Sequence, residues 1–199
     1  MIRRAETGQR QTELADAALL IIATRGITAL TTRALAEQVG LTSGAIFKHF
    51  ASLDALLEAV VGRVEAVLDS TFPADDTSSP LERLEHFVEA RTSAVGERVG
   101  ILRLLLSEQF QLALPKQGAE RLSRCVQKTR AFVVSTLRDA QAAGEVRADI
   151  PAEALGPIVM GTLQMLAMTR SRNGDAAATR EALRTLLSHA VPTKSRKAP

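Results

Sequence analysis

The sequence predicts an all-α chain of two modules, a small N-terminal helix-turn-helix unit followed by a larger helical unit. Three observations carry this. Apolar residues recur at helical spacing along the chain, with no sustained alternation of β-branched residues. Glycines, prolines and small hydroxyl residues fall between the apolar stripes, where helix caps and turns use them. The run Phe72-Pro73-Ala74-Asp75-Asp76-Thr77-Ser78-Ser79-Pro80 is the sharpest break, and 199 residues are enough to bury a core on either side of it.

The first helix is expected from about Thr12 to Arg25. Leu14, Ala17, Ala18, Ile21 and Ile22 form one continuous stripe, and Gly26 suits the left-handed position that ends a helix. A second helix begins at the Thr31-Thr32 caps and stops before Gly40. A short third begins at Thr42 or Ser43 and ends near His49. Ser52 caps a fourth, with Asp54 in its first turn where the helix dipole favours an anion. Its apolar face, Leu56, Leu57, Val60, Val61, Val64, Val67 and Leu68, leads out of the first module. Residues 1–52 are therefore expected to form the first module and 53–199 the second, the fourth helix connecting them.

Beyond the break, Ser79, Pro80 and Glu82 supply a cap, a first-turn proline and a capping-box acid. Another helix is expected over about Glu97–Leu112, with Pro115 and Gly118 marking the loop after it. The longest helix should run from about Ala119 to Ala143, ended by Gly144. Asp149-Ile150-Pro151 opens the next, uncharged from Ala154 through Met168 and so expected to be buried on all sides by its own subunit or a partner's. Pro157 is expected to kink it or delay its start. A final helix should cover about Asp175–Ala190.

Composition removes several classes of function. A single cysteine, Cys125, makes no intrachain disulfide, and with no resolving partner it reads as an inert thiol. The N-terminus shows arginines but no apolar run before a small-residue cleavage site, so no secretory leader is expected. The longest charge-free stretch, Ala154–Thr169, is shorter than the roughly 20 residues a bilayer needs, so neither a membrane span nor a membrane partner is expected. With no Trp or Tyr and six Phe, the chain has few platforms for stacking single-stranded bases. His86, His189 and Cys125 lack ligand spacing, and neither a metal nor a cofactor is expected. No activated nucleophile or paired-carboxylate arrangement stands out, which reads as a non-enzyme in the cytoplasm. Net charge is only +3, but Arg3, Arg4, Arg10, Arg25, Arg33 and Lys48 leave the first 50 residues basic, as do Lys194, Arg196 and Lys197 in the tail. A mildly basic end suits contact with a polyanion.

The segment Thr31–Phe50 carries the function. Ala36, Gly40 and Ile46 are spaced for two helices joined by a tight turn. Ala36 is small where the next helix crosses, Gly40 permits positive φ, and Ile46 packs the second helix back on its support. That leaves an outer face free to enter a major groove. Thr31, Thr32 and Thr42 place hydroxyls where phosphates would sit, and Arg33 and Lys48 add charge. Ser43, Gly44 and Ala45 would face base edges, the last two through close approach and thymine-methyl contact.

Over about Thr12–Leu57 the chain resembles the TetR family of one-component transcriptional regulators. The likeness rests on Ala18, Gly26, Thr31-Thr32, Ala36, Gly40 and the run from Gly44 through Phe47-Lys48-His49-Phe50. It implies a homodimer on a palindromic double-stranded operator, with a second module that holds an inducer. It also implies that Phe47 and His49 lie with the DNA contacts. Two positions depart from the family pattern: Phe47 stands where Tyr is usual, and Leu53 where Lys is usual.

For the second module, Phe87, Leu104, Leu105, Phe110, Phe132, Met160, Gln164 and Met168 lie on or beside apolar faces. They suggest an aliphatic cavity for an apolar or amphipathic molecule, with ordinary core or dimer packing as the competing reading. Leu163, Leu166, Leu183, Leu186 and Leu187 of the last two helices are expected to form the dimer interface as a four-helix bundle. The expected function is transcriptional repression relieved by a small molecule. The alternative is a helical ligand-binding or scaffold protein whose helix-turn-helix has lost DNA readout.

Overall fold

The computed structural model describes residues 2–74, 78–169 and 176–188. Across them run α1 (Ile2–Arg25), a 3-10 turn (Ile27–Ala29), α2 (Thr32–Val39), α3 (Ser43–Phe47), α4 (Leu53–Asp69) and α5 (Pro80–Gly96). These are followed by α6 (Val99–Leu106), α7 (Glu108–Ala113), α8 (Lys116–Ala142), α9 (Ala152–Thr169) and α10 (Ala176–Ser188). No strand occurs among the described residues, and none of their helices is long and apolar enough to cross a membrane.

Local chemistry sets most of the boundaries. Thr31, Thr42 and Ser52 each accept a hydrogen bond from the backbone N–H three residues on, at 3.0, 3.3 and 3.1 Å. Ser79 and Glu82 form a complete capping box, with Pro80 as the first helical residue. Gly40, at φ 66°, ends α2.

Two cores result. The first gathers Leu14, Ala18 and Ile21 of α1 with Leu35, Ile46 and Phe50, then Val60, Val61 and Val64 of α4. It continues across residue 52 to Ile101 and Leu104 of α6, Phe110 of α7 and Leu122 of α8. The second joins α5, α8, α9 and α10 through Phe87, Leu137, Val159, Leu163, Leu166, Leu183 and Leu187. Each buried Val, Leu, Ile or Phe side chain here contributes about 1.5–3 kcal/mol.

Polar groups hold the elements in register. Arg63 of α4 donates to both oxygens of Asp16 on α1, at 2.7 and 3.1 Å. Arg121 of α8 lies between Glu58 and Glu65 of α4. Arg91 of α5 is buried and donates to Thr71, to Thr129 of α8 and to the Leu68 carbonyl near the end of α4. The guanidinium also stands 5.1 and 4.9 Å from the ring centres of Phe72 and Phe87. Burial pulls its pKa down to about 10.

Several boundaries differ from expectation. α1 begins at Ile2, well before Thr12. The single helix expected over Glu97–Leu112 is two, because Ser107 adopts extended backbone and its hydroxyl caps the Phe110 N–H at 3.2 Å. Leucines run through that break and hide it. α8 starts at Lys116, with Pro115 as its cap residue, so Gly118 is helical and buried. A Cβ there would come within 3.0 Å of Glu58 on α4, so its small size serves a helix crossing and not a loop. Pro157 lies inside α9 without delaying its start. Asp75–Thr77, Asp175, His189, Ala190 and the tail lysines and arginine lie outside the described residues.

Candidate nucleic-acid interface

The helix-turn-helix is built around one tight reversal. The Gly40 and Leu41 N–H groups both return to the Ala36 carbonyl, which closes α2 and aims the chain into α3. Ala36 and Leu35 are buried against α1, and Ile46 and Phe50 anchor α3 from the other side. Gln11 Nε2 of α1 donates to the His49 carbonyl at 3.0 Å, so α3 is pinned at its C-terminal end.

The outer face left by this packing is polar and open. Thr31, Arg33, Thr42, Gly44, Phe47 and Lys48 are exposed, while Thr32, Ser43, Ala45 and His49 are half-buried beside them. The Thr31 and Thr42 hydroxyls accept from their own helices and keep their protons available for an acceptor such as phosphate oxygen. Arg33 pairs with Glu37 at 2.9 Å, but both side chains are largely exposed and such a pair is weak. Lys48 has no carboxylate partner among the described residues. Phe47 is 52% exposed, a large apolar ring at the end of α3 with no core role. His49 turns Nδ1 inward, where no hydrogen-bond partner meets it among the described residues. The ten residues expected at this site are each at least partly open to solvent. The Gln11 tie to α3 was not foreseen, because only the tertiary packing of α1 brings the two together.

The eight residues expected around a ligand do not converge. Phe87 and Phe132 pack with Phe72 in a cluster of three rings, with centres 4.7–5.4 Å apart. Met160 packs against the same second core, whereas Leu104, Leu105 and Phe110 belong to the first. Gln164 is half-buried on α9. Phe110 and Met168 do line a common cavity of about 500 Å³, between the end of α1 and α5, α6, α7 and α9.

The exposed apolar surface of α9 and α10 also lies mostly on other residues than expected. Leu163, Leu166, Leu183 and Leu187 are buried within the protomer, so they do not present the apolar surface attributed to them; Leu186 does, at 60% exposed. The apolar surface on α9 belongs instead to Ile158, Met165 and Met168. Among the described residues no group of His, Cys, Asp or Glu is arranged to hold a metal ion.

Known proteins match this arrangement at both ends. The family model for bacterial regulatory proteins of the tetR family matches residues 14–60, and that for the tetracyclin repressor-like C-terminal domain matches 113–186. The HTH-type transcriptional repressor KstR2 of Mycolicibacterium smegmatis is 27% identical, over 73% of this chain and 72% of that protein. The HTH-type transcriptional regulator UidR of Escherichia coli K12 is 24% identical, over 74% of each. The solved ketosteroid transcriptional regulator KstR2 of Mycobacterium tuberculosis superposes with a TM-score of 0.76 at 21% identity, over 91% of this chain and 96% of that one. AibR, solved in complex with isovaleryl coenzyme A and operator DNA, gives 0.74 at 15% identity, over 90% and 98%. With the helix-turn-helix geometry in place and both modules matched, the chain belongs to the TetR family of DNA-binding transcription regulators.

Proposed function

We propose that this protein is a cytoplasmic homodimeric repressor that reads a palindromic operator and is released by a small apolar or amphipathic molecule. The observation that carries the reading is the open polar face of α2 and α3, backed by a packed core. Thr31, Thr32, Arg33, Thr42, Lys48 and His49 would hold the phosphate backbone, while Ser43, Gly44, Ala45 and Phe47 meet base edges and sugar. The repressor name of the KstR2 relative supports the sign of regulation, and AibR, solved with isovaleryl coenzyme A and operator DNA, supports control by a small molecule.

Dimerisation follows from α9 and α10. Ile158, Met165 and Met168 on one helix and Ala178, Ala182 and Leu186 on the other are exposed in the protomer. Two such hairpins related by a two-fold axis would cover this surface. The two α3 helices would then enter successive major grooves about 34 Å apart. An effector that prefers a different separation empties the operator by its differential affinity for that state.

Selection of bound duplexes from a random pool by the purified protein tests this. The expected result is a palindrome whose half-sites lie one helical turn apart, recovered by a protein that sediments as a dimer. Failure to enrich any sequence would favour a ligand-binding module without DNA readout. The exposed apolar Phe47 and Leu53 are the features that favour that second reading.

A further inference from the structure

The cavity of about 500 Å³ has an unusual position. Ile22 and Ile27 form its wall on the side of the helix-turn-helix, at the joint between α1 and the 3-10 turn. Val95, Leu102, Phe110 and Ala167 form the wall contributed by α5, α6, α7 and α9. Its size lies within the roughly 300–1,000 Å³ range of small-molecule sites. Among the described residues no charged side chain lines it. Its side-chain polar groups are the Ser107 hydroxyl, which accepts the Phe110 N–H, and the amide of exposed Gln109. A carboxylate or phosphate placed there would meet no charged partner, only the neutral Ser107 hydroxyl and Gln109 amide, so it would give up its water for incomplete compensation. An uncharged apolar molecule meets no such penalty.

The walls are also mechanically joined. α6 crosses α1 at Gly100, where an added Cβ would stand 2.6 Å from the Leu19 carbonyl oxygen and 3.3 Å from the Ala23 side chain. Backbone lies against backbone, with no flexible side chain between to absorb a shift. A molecule that pushes α6 therefore pushes α1, and α1 carries α2 and α3 on its buried face.

We propose that this junction cavity binds one uncharged apolar small molecule, and that its occupant, touching both modules, lowers DNA affinity through the α1–α6 crossing. The second half rests on the regulator reading above; the first does not. The test uses the full-length protein and Nile red, an uncharged fluorophore, with 1-decanol and decanoate as competitors of equal chain length. Nile red should bind saturably with one site per chain, decanol should displace it, and decanoate should be at least about tenfold weaker. Ala167→Phe, which fills the cavity, should abolish probe binding. Leu106→Glu, a charge placed on its exposed wall, should weaken binding without touching the core.

In a separate anisotropy experiment on a selected duplex, decanol should weaken binding of the wild type about tenfold and leave Ala167→Phe unaffected. Probe binding that survives both substitutions, or equal competition by decanoate, overturns the site. Decanol binding that leaves DNA affinity unchanged overturns the coupling. A protein that binds no duplex specifically overturns the regulator reading, while the fluorescence experiment still decides the cavity.

Discussion

Gly100→Ala examines the crossing on which the two modules depend. The new methyl would lie 2.6 Å from the Leu19 carbonyl oxygen, which is backbone in the interior of α1 and cannot rotate away. Relief requires α1 and α6 to part by roughly half an ångström, and overpacking of this kind costs about 1–3 kcal/mol. Replacing glycine with alanine in a helix returns about 0.5–1 kcal/mol. From the middle of each range the net expectation is a loss of about 1 kcal/mol, or a melting temperature lowered by roughly 2–4 °C in a chain of this size. Gly8→Ala is the control, because a Cβ there meets nothing within 4 Å and α1 should be unchanged or slightly stabilised. Both variants can be followed by circular dichroism at 222 nm. If Gly100→Ala melts at or above the wild type, the close crossing is not a constraint, and the transmission argued from it loses its basis.

Arg91→Ala should cost roughly 2–4 kcal/mol in urea denaturation, because it strips packing from Phe72 and Phe87 and takes from the buried Thr71 and Thr129 hydroxyls the guanidinium that donates to them. Arg91→Met, which keeps the stem and removes the buried charge, should cost less; the reverse order would contradict the packing account. Leu53→Lys should steepen the dependence of DNA affinity on salt by about two units in the log–log slope, one for each protomer of the dimer, and an unchanged slope would show that residue 53 lies away from the phosphates. The Cys125 thiol is pushed up chiefly by burial, then by Glu65 and Asp69, against the smaller opposing pull of Lys128 and Arg91. Its thiolate therefore forms at higher pH than usual: alkylation at pH 8 should be slower than for a free thiol and still accelerating above pH 9. Reaction already at its plateau by pH 8 would reverse that sign.

What was legible in the sequence was local. Thr31, Thr42, Ser52 and the Ser79-Pro80-Glu82 box act within three residues of themselves, so spacing alone locates the starts of α2 to α5. Gly40 was legible for the same reason, since its positive φ is required by the turn that it makes. The outer face of the helix-turn-helix follows from those boundaries, and none of the ten residues expected on it is buried. Long-range packing was not legible. Gly118 reads as a loop residue until α4 is seen crossing over it, and Ser107 interrupts a run of leucines that otherwise continues the helical pattern. The leucines chosen for the dimer face are apolar and correctly on α9 and α10. Apolarity does not say which of two partners a side chain meets, and four of the five meet their own subunit. The candidate ligand residues scatter for the same reason, divided between two cores that sequence order interleaves.

The central claim, that the α2–α3 face reads DNA, is tested most directly by fluorescence anisotropy on the duplex flanking the protein's own coding region, at two salt concentrations. Saturable, salt-sensitive binding well above that to a scrambled duplex is expected, lost when Thr42 and Lys48 are both replaced by Ala in a protein that still melts like the wild type. Equal binding of that double variant and the wild type would contradict it.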